Sequence, residues 1–109
     1  MQAFIESLED TVFATEEQRK KEIWDVEGRL KNGNQVFKFD VRPLKHTANS
    51  LEKTGFFNTK ADKMVFEDIN QWVIFDTEEL HEYIKSQDKK DFNIKELLKE
   101  LSWNLKINK

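Results

Sequence analysis

Apolar positions change their period several times along this chain, and each change marks an element. Phe4, Ile5, Leu8 and Val12 recur at helical spacing, which predicts an amphipathic helix over 2–13. The charged run Glu16 to Glu22 extends that helix or links it onward. In IWDVEGRLKNGNQVFKFDVRPLK, residues 23–45, the period becomes two on either side of Asn32-Gly33, a strong short-range hairpin signal. Residues 46–60 are punctuated by Asn49, Ser50, Gly55 and Asn58 and read as irregular, although Leu51, Phe56 and Phe57 need cover. Two more strands, 61–67 and 71–75, flank a short polar turn. Trp72, Val73, Ile74 and Phe75 run on without alternation, as in a strand covered on both faces. Asp76 and Thr77 offer N-caps, and Asp76 with Glu79 has capping-box spacing. The helix they start runs through Leu80, Tyr83 and Ile84 and stops near Ser86. After QDKKD, Ile94, Leu97, Leu98, Leu101 and Leu105 form an apolar helical stripe.

These elements predict an α/β fold with a single mixed four-stranded sheet. An N-terminal helix, a central β-hairpin and two C-terminal helices complete it. One domain spans 1–109, with its core in 1–87 and a helical extension in 88–109. The final helix packs on the sheet, or dimerises through its stripe and Trp103.

Composition narrows the setting. The chain has 109 residues, 38% hydrophobic and 36% charged, so it is polar yet able to bury a modest core. Nine Phe and three Trp supply much of that core as large rings. A net charge of −3 gives no general nucleic-acid footprint, so such binding needs a local basic patch. The absence of cysteine excludes disulfides, thiol catalysis and cysteine-ligated zinc, and fits a reducing compartment. No apolar run approaches membrane-spanning length, and the N-terminus lacks signal-peptide character. The expectation is a cytoplasmic protein without membrane contact.

Chemistry enters at the hairpin. A two-residue Asn32-Gly33 turn places residues whose numbers sum to 65 opposite each other. Glu27 then faces Lys38, Arg29 faces Val36, and Asp25 faces Asp40. Side chains alternate, so Asp25, Glu27 and Arg29 share a polar face with Lys38, Asp40 and Arg42. Trp24, Val26, Leu30, Phe37, Phe39 and Val41 take the core face. Opposed carboxylates sit with Cβ atoms roughly 5 Å apart and repel each other. A shared proton, a nearby cation (Lys38, Arg42 or Lys45) or a hard divalent metal would compensate. The bland alternative is a solvated ion-pair network on an exposed hairpin face.

This stretch resembles the PD-(D/E)XK nuclease superfamily. That pattern carries an aspartate on one hairpin strand, then an acid and, two residues later, a lysine on the next; here Asp25 precedes Asp40-Val41-Arg42. The segments TGFFNTKADKMVFED and QWVIFDTEELHEYI are similar to segments of small members, often encoded by phages and mobile elements. The resemblance covers roughly 1–87. It implies a Mg²⁺- or Mn²⁺-dependent phosphodiesterase acting on nucleic acid, with Asp25 and Asp40 as metal ligands. It also implies an acid from the first helix, for which Glu9 is favoured and Glu6 the fallback. Arg42 falls at the lysine position. Arginine is always protonated and cannot serve as a base, though it can hold a phosphate bidentately. The alternative within the resemblance is therefore a catalytically inactive module that binds nucleic acid or protein, such as a phage inhibitor. Lys38, Lys45, Lys53 and Lys60 are the candidate nucleic-acid contacts, the last two flanking the loop aromatics Phe56 and Phe57. Asp62 at a strand start and the lone His46 are weaker candidates, each more simply read as a solvated side chain.

Overall fold

The two most apolar runs pair with each other. Lys63–Glu67 (β5) and Gln71–Asp76 (β6) are antiparallel, Val65 opposite Ile74. Met64, Val65, Phe66, Val73, Ile74 and Phe75 are wholly buried, the double-sided burial that unalternating strands require. The computed structural model describes residues 2–31, 33–42, 51–52, 59–88 and 91–109. Lys45, His46, Lys53, Phe56 and Phe57 lie outside these residues.

Around that pair the sheet grows to six strands, in the order β1-β2-β3-β5-β6-β8. Leu8–Phe13 (β1), Val26–Leu30 (β2) and Val36–Arg42 (β3) form an antiparallel meander. β3 runs parallel to β5, Asp40 beside Met64. Asn104–Asn108 (β8) closes the far edge against β6. Leu51–Glu52 (β4) and Asp91–Phe92 (β7) make a separate two-stranded ladder.

Each face of the sheet has its own core. On one, Val26, Phe39, Val65, Trp72 and Ile74 pack beneath Phe4 of the single-turn helix Gln2–Ile5 (α1). The Phe4 ring lies 5.4 Å from Phe39 and 5.7 Å from Trp72. On the other, Met64, Phe66, Val73 and Phe75 meet Leu80 and Ile84 of Thr77–Ser86 (α3). Leu97 of Ile94–Glu100 (α4) and Leu101 join them. A short helix, Glu16–Lys21 (α2), spans the corner between β1 and β2.

The four-stranded expectation is thus corrected at both ends of the chain. The expected helix over 2–13 is one helical turn followed by strand β1. Glu9 and Val12 face Arg29 and Glu27, two positions of the same polar face, because an irregularity between them inserts an extra residue. Asp10 takes a positive φ of 56° there, which aspartate tolerates better than most residues. The extra residue leaves Leu8 buried on the core face and turns Val12 to the exposed polar face, so the four-residue spacing of these two apolar positions is fortuitous. At the other end, α4 stops at Glu100, and Leu105 belongs to β8. Residues 94–108 are therefore part of the same layers rather than a helical extension. The stripe offered for dimerisation is largely inside, with Leu97 and Leu101 buried and Ile94 and Leu98 packed against the core.

The turn from α4 into β8 is held by one carboxylate. Glu79 accepts from the backbone amides of Ser102 and Trp103, each at 2.9 Å, and from the Ser102 hydroxyl. The hydroxyl bond, with those amides, lowers the Glu79 pKa below its ordinary value of 4.5 against a smaller opposing effect of burial. A carboxylate with a depressed native pKa adds stability above its unfolded value and loses it as pH falls. Glu79→Ala is predicted to destabilise the fold by about 1–2 kcal/mol at neutral pH. Thermal unfolding should show the gap to wild type closing as pH drops below 4.5.

Candidate functional site at the hairpin end

The hairpin register is the one its alternation demands. Val26 pairs with Phe39, Glu27 with Lys38, Gly28 with Phe37 and Arg29 with Val36. The connection is longer than two residues, since β2 ends at Leu30 and β3 begins at Val36. It closes by a Gly33 amide bond to the Leu30 carbonyl at 2.8 Å, and Gly33 does not take positive φ. The Arg29 guanidinium braces the loop on the Gly33 carbonyl at 3.1 Å.

Asp25 lies just before β2 and brackets Asp40. Its amide donates to the Phe39 carbonyl at 2.8 Å, and its Oδ2 accepts from the Val41 amide at 2.7 Å. Burial raises the Asp25 pKa above 3.8; the Val41 bond opposes this, the Asp40 charge adds to it, and Arg19 and Arg42 oppose it. Asp40 is only 3% exposed on strand β3. Arg42, two residues on and therefore on the same face, closes a two-toothed fork over it. Nε donates to Oδ1 and Nη2 to Oδ2, both at 2.9 Å. Of the compensations open to two crowded acids, a cation is thus in place.

Other expected residues are arranged differently. Lys38 turns its ammonium toward Glu22, at 3.8 Å, and the Trp24 ring, at 5.2 Å from the centroid. Asp62 clasps the Lys38 backbone twice. Its carboxylate accepts from the Lys38 amide and its own amide donates to the Lys38 carbonyl, both at 2.8 Å. Lys60 is exposed. Glu9 is on a strand rather than a helix and sits 3.8 Å from Arg29. That is four residues along β2 from Asp25, roughly 13 Å at strand rise, so Glu9 does not join the acid pair.

Residues passed over in the sequence build the corner that carries Asp25. Thr15 and Gln18 form a reciprocal capping box that starts α2, a readable Thr-x-x-Gln signal. Ile23 then adopts a φ of 54°, strained for a β-branched side chain by about 1–3 kcal/mol. Thr59, itself buried, donates its hydroxyl to the Ile23 carbonyl at 2.8 Å, and the Lys60 amide donates to the Glu22 carbonyl at 2.7 Å. Trp24 is buried there with Ala14 and Ala61.

Both Asp40 oxygens are bonded to Arg42, and among the described residues no three His, Asp or Glu side chains converge. A separate cleft of about 820 Å³ opens between the start of β3 and α3. Its described lining includes Asp62, Lys63, Asp76, Thr77 and Trp103, but not the acid pair. Lys63, buried there, bonds to Asp76 at 2.9 Å beneath the Trp103 ring.

Fold and site together define a mixed α/β domain with an arginine-closed acid pair at a hairpin end. No family model, curated protein or solved structure matches the chain.

Asp25 gives a pH signature. A carboxyl whose native pKa is raised binds its proton more tightly when folded, so stability falls as pH rises from 3.8 through the native value. Asp25→Asn keeps an acceptor for Val41 and removes the charge. It is predicted to unfold at a higher temperature than wild type at pH 7, with the advantage vanishing near pH 3.8.

Proposed function

We propose that the protein is a nuclease-like module that engages the phosphodiester backbone of nucleic acid at the Asp25–Asp40–Arg42 end of its hairpin, without cleaving it. The observation that carries this reading is the Arg42 fork on both Asp40 oxygens. In the PD-(D/E)XK pattern that the hairpin resembles, a lysine stands at this position and a metal at the acids. Arginine supplies a permanent charge that replaces the metal electrostatically, and it cannot take a proton from water. The bonds of Asp25 to Phe39 and Val41, which bracket Asp40, support the same reading.

The second reading is a Mg²⁺- or Mn²⁺-dependent phosphodiesterase with Asp25 and Asp40 as ligands. Favouring it is the elevated pKa of Asp25, raised by burial and further by Asp40, since an added divalent cation would relieve that crowding. No helix among the described residues is long and apolar enough to cross a membrane.

Incubation of wild type and Arg42→Lys with single- and double-stranded DNA in Mg²⁺ or Mn²⁺ separates the two. Binding without cleavage by wild type is the expected result, and cleavage gained in Arg42→Lys would identify a lapsed enzyme. Cleavage by wild type would establish the second reading, and failure to bind any nucleic acid would dismiss both.

A further inference from the structure

Most cations at the hairpin end already have partners. Arg42 is bonded to Asp40, and Lys38 faces Glu22 and Trp24. On α2, Lys20 pairs with Glu16 at 3.3 Å and Lys21 with Glu17 at 2.7 Å. Among the described residues, two cations of the corner that leads into Asp25 remain exposed with no side-chain partner, Arg19 and Lys60. Their backbones are locked into one corner. The Lys60 amide donates to the Glu22 carbonyl at 2.7 Å, and the Glu22 amide donates to the Gln18 carbonyl at 2.8 Å. One helical turn and one backbone hydrogen bond therefore link the two side-chain roots. The Ile23 amide bonds to the same Gln18 carbonyl at 3.1 Å, and its carbonyl is held by Thr59, so the corner leads straight into Asp25. Arg19 is close enough to act on the Asp25 carboxyl electrostatically.

We infer that Arg19 and Lys60, rather than Arg42, form the phosphate grip of this protein. The inference rests on the nucleic-acid reading above and names the residues that deliver it. A guanidinium with its fork free takes a phosphate through two parallel hydrogen bonds, and an adjacent ammonium adds a point charge. Arg42 cannot offer its Nε–Nη2 edge to a phosphate without stripping Asp40 of its counter-charge inside the sheet. Its role is to neutralise Asp40, which lets an anion approach a site that two acids would otherwise repel. The strained Ile23 corner and its Thr59 and Lys60 bonds keep the grip in register with Asp25.

The test measures fluorescence anisotropy of a labelled duplex oligonucleotide with wild type, Arg19→Ala, Lys60→Ala and Lys106→Ala over a range of salt concentrations. Each lost phosphate contact flattens the slope of log K against log salt by about 0.9. Arg19→Ala and Lys60→Ala should each weaken binding and show that flattening. Lys106→Ala, on the edge strand β8, should match wild type. Unchanged slopes in both grip variants would overturn the inference. If wild type binds no DNA, the nucleic-acid reading fails, and inorganic phosphate followed by amide NMR shifts decides the grip by itself. Shifts at Arg19 and Lys60 that vanish in Arg19→Ala would uphold it, and no shifts at those amides would overturn it.

Discussion

The structure depends on how a carboxylate survives inside a central strand. Asp40 sits on β3, between β2 and the parallel β5, with almost no exposure. An isolated charge there would cost several kcal/mol of lost hydration, and losing one partner of such a pair typically costs about 3 kcal/mol or more. Arg42 answers it with charge-assisted bonds to both oxygens from the same strand face, at no cost in loop closure because only Val41 intervenes. This local solution leaves β3 free to pair on both sides. Beside it, Asp25 accepts from the Val41 amide through Oδ2 and donates its own amide to the Phe39 carbonyl.

The rest of the hairpin end is held from a distance. The short segment 59–62 reaches back to two places at once. Thr59 and Lys60 bond the corner at Glu22 and Ile23, while Asp62 clasps Lys38 on β3. Because Asp62 leads directly into Lys63 of β5, the parallel β3–β5 register and the position of Asp25 are set by the same few bonds. The strain at Ile23 persists because these bonds over-determine that backbone. On the far side, Glu79 does similar work for β8, binding the turn at Ser102 and Trp103 to α3.

What was legible in the sequence follows from which interactions are local. The hairpin register could be read because strict alternation on both strands permits one pairing, and it held although the connection proved longer than a two-residue turn. β5 and β6 announced their double burial by unbroken apolar runs, and Asp76 caps α3 through the Glu79 amide as its spacing predicts. Leu8 and Val12 carry a helical spacing, but the extra residue at the irregularity of β1 sends them to opposite faces of a strand. The β-branched and aromatic Thr11-Val12-Phe13 was the countersignal. β8 was misread because Leu101 and Leu105 continue helical spacing across a true helix end; the alternation of Asn104-Leu105-Lys106-Ile107-Asn108 carries the strand. The strain at Ile23 and the freedom of Arg19 had no local signal. The first depends on Thr59, 36 residues away, and the second on which neighbours of Arg19 found partners.

Arg42 closes over both Asp40 oxygens, and on the proposed reading that fork stands where a divalent ion would otherwise bind. Carbon-13 NMR of the aspartate and glutamate side-chain carboxyls during a Mn²⁺ titration tests this, because a bound paramagnetic ion broadens the resonances of its ligands first. The Asp25 and Asp40 carboxyl signals should persist while exposed carboxylates such as Glu16 and Glu78 show only weak, nonspecific broadening. Early and selective loss of both the Asp25 and Asp40 signals would contradict it.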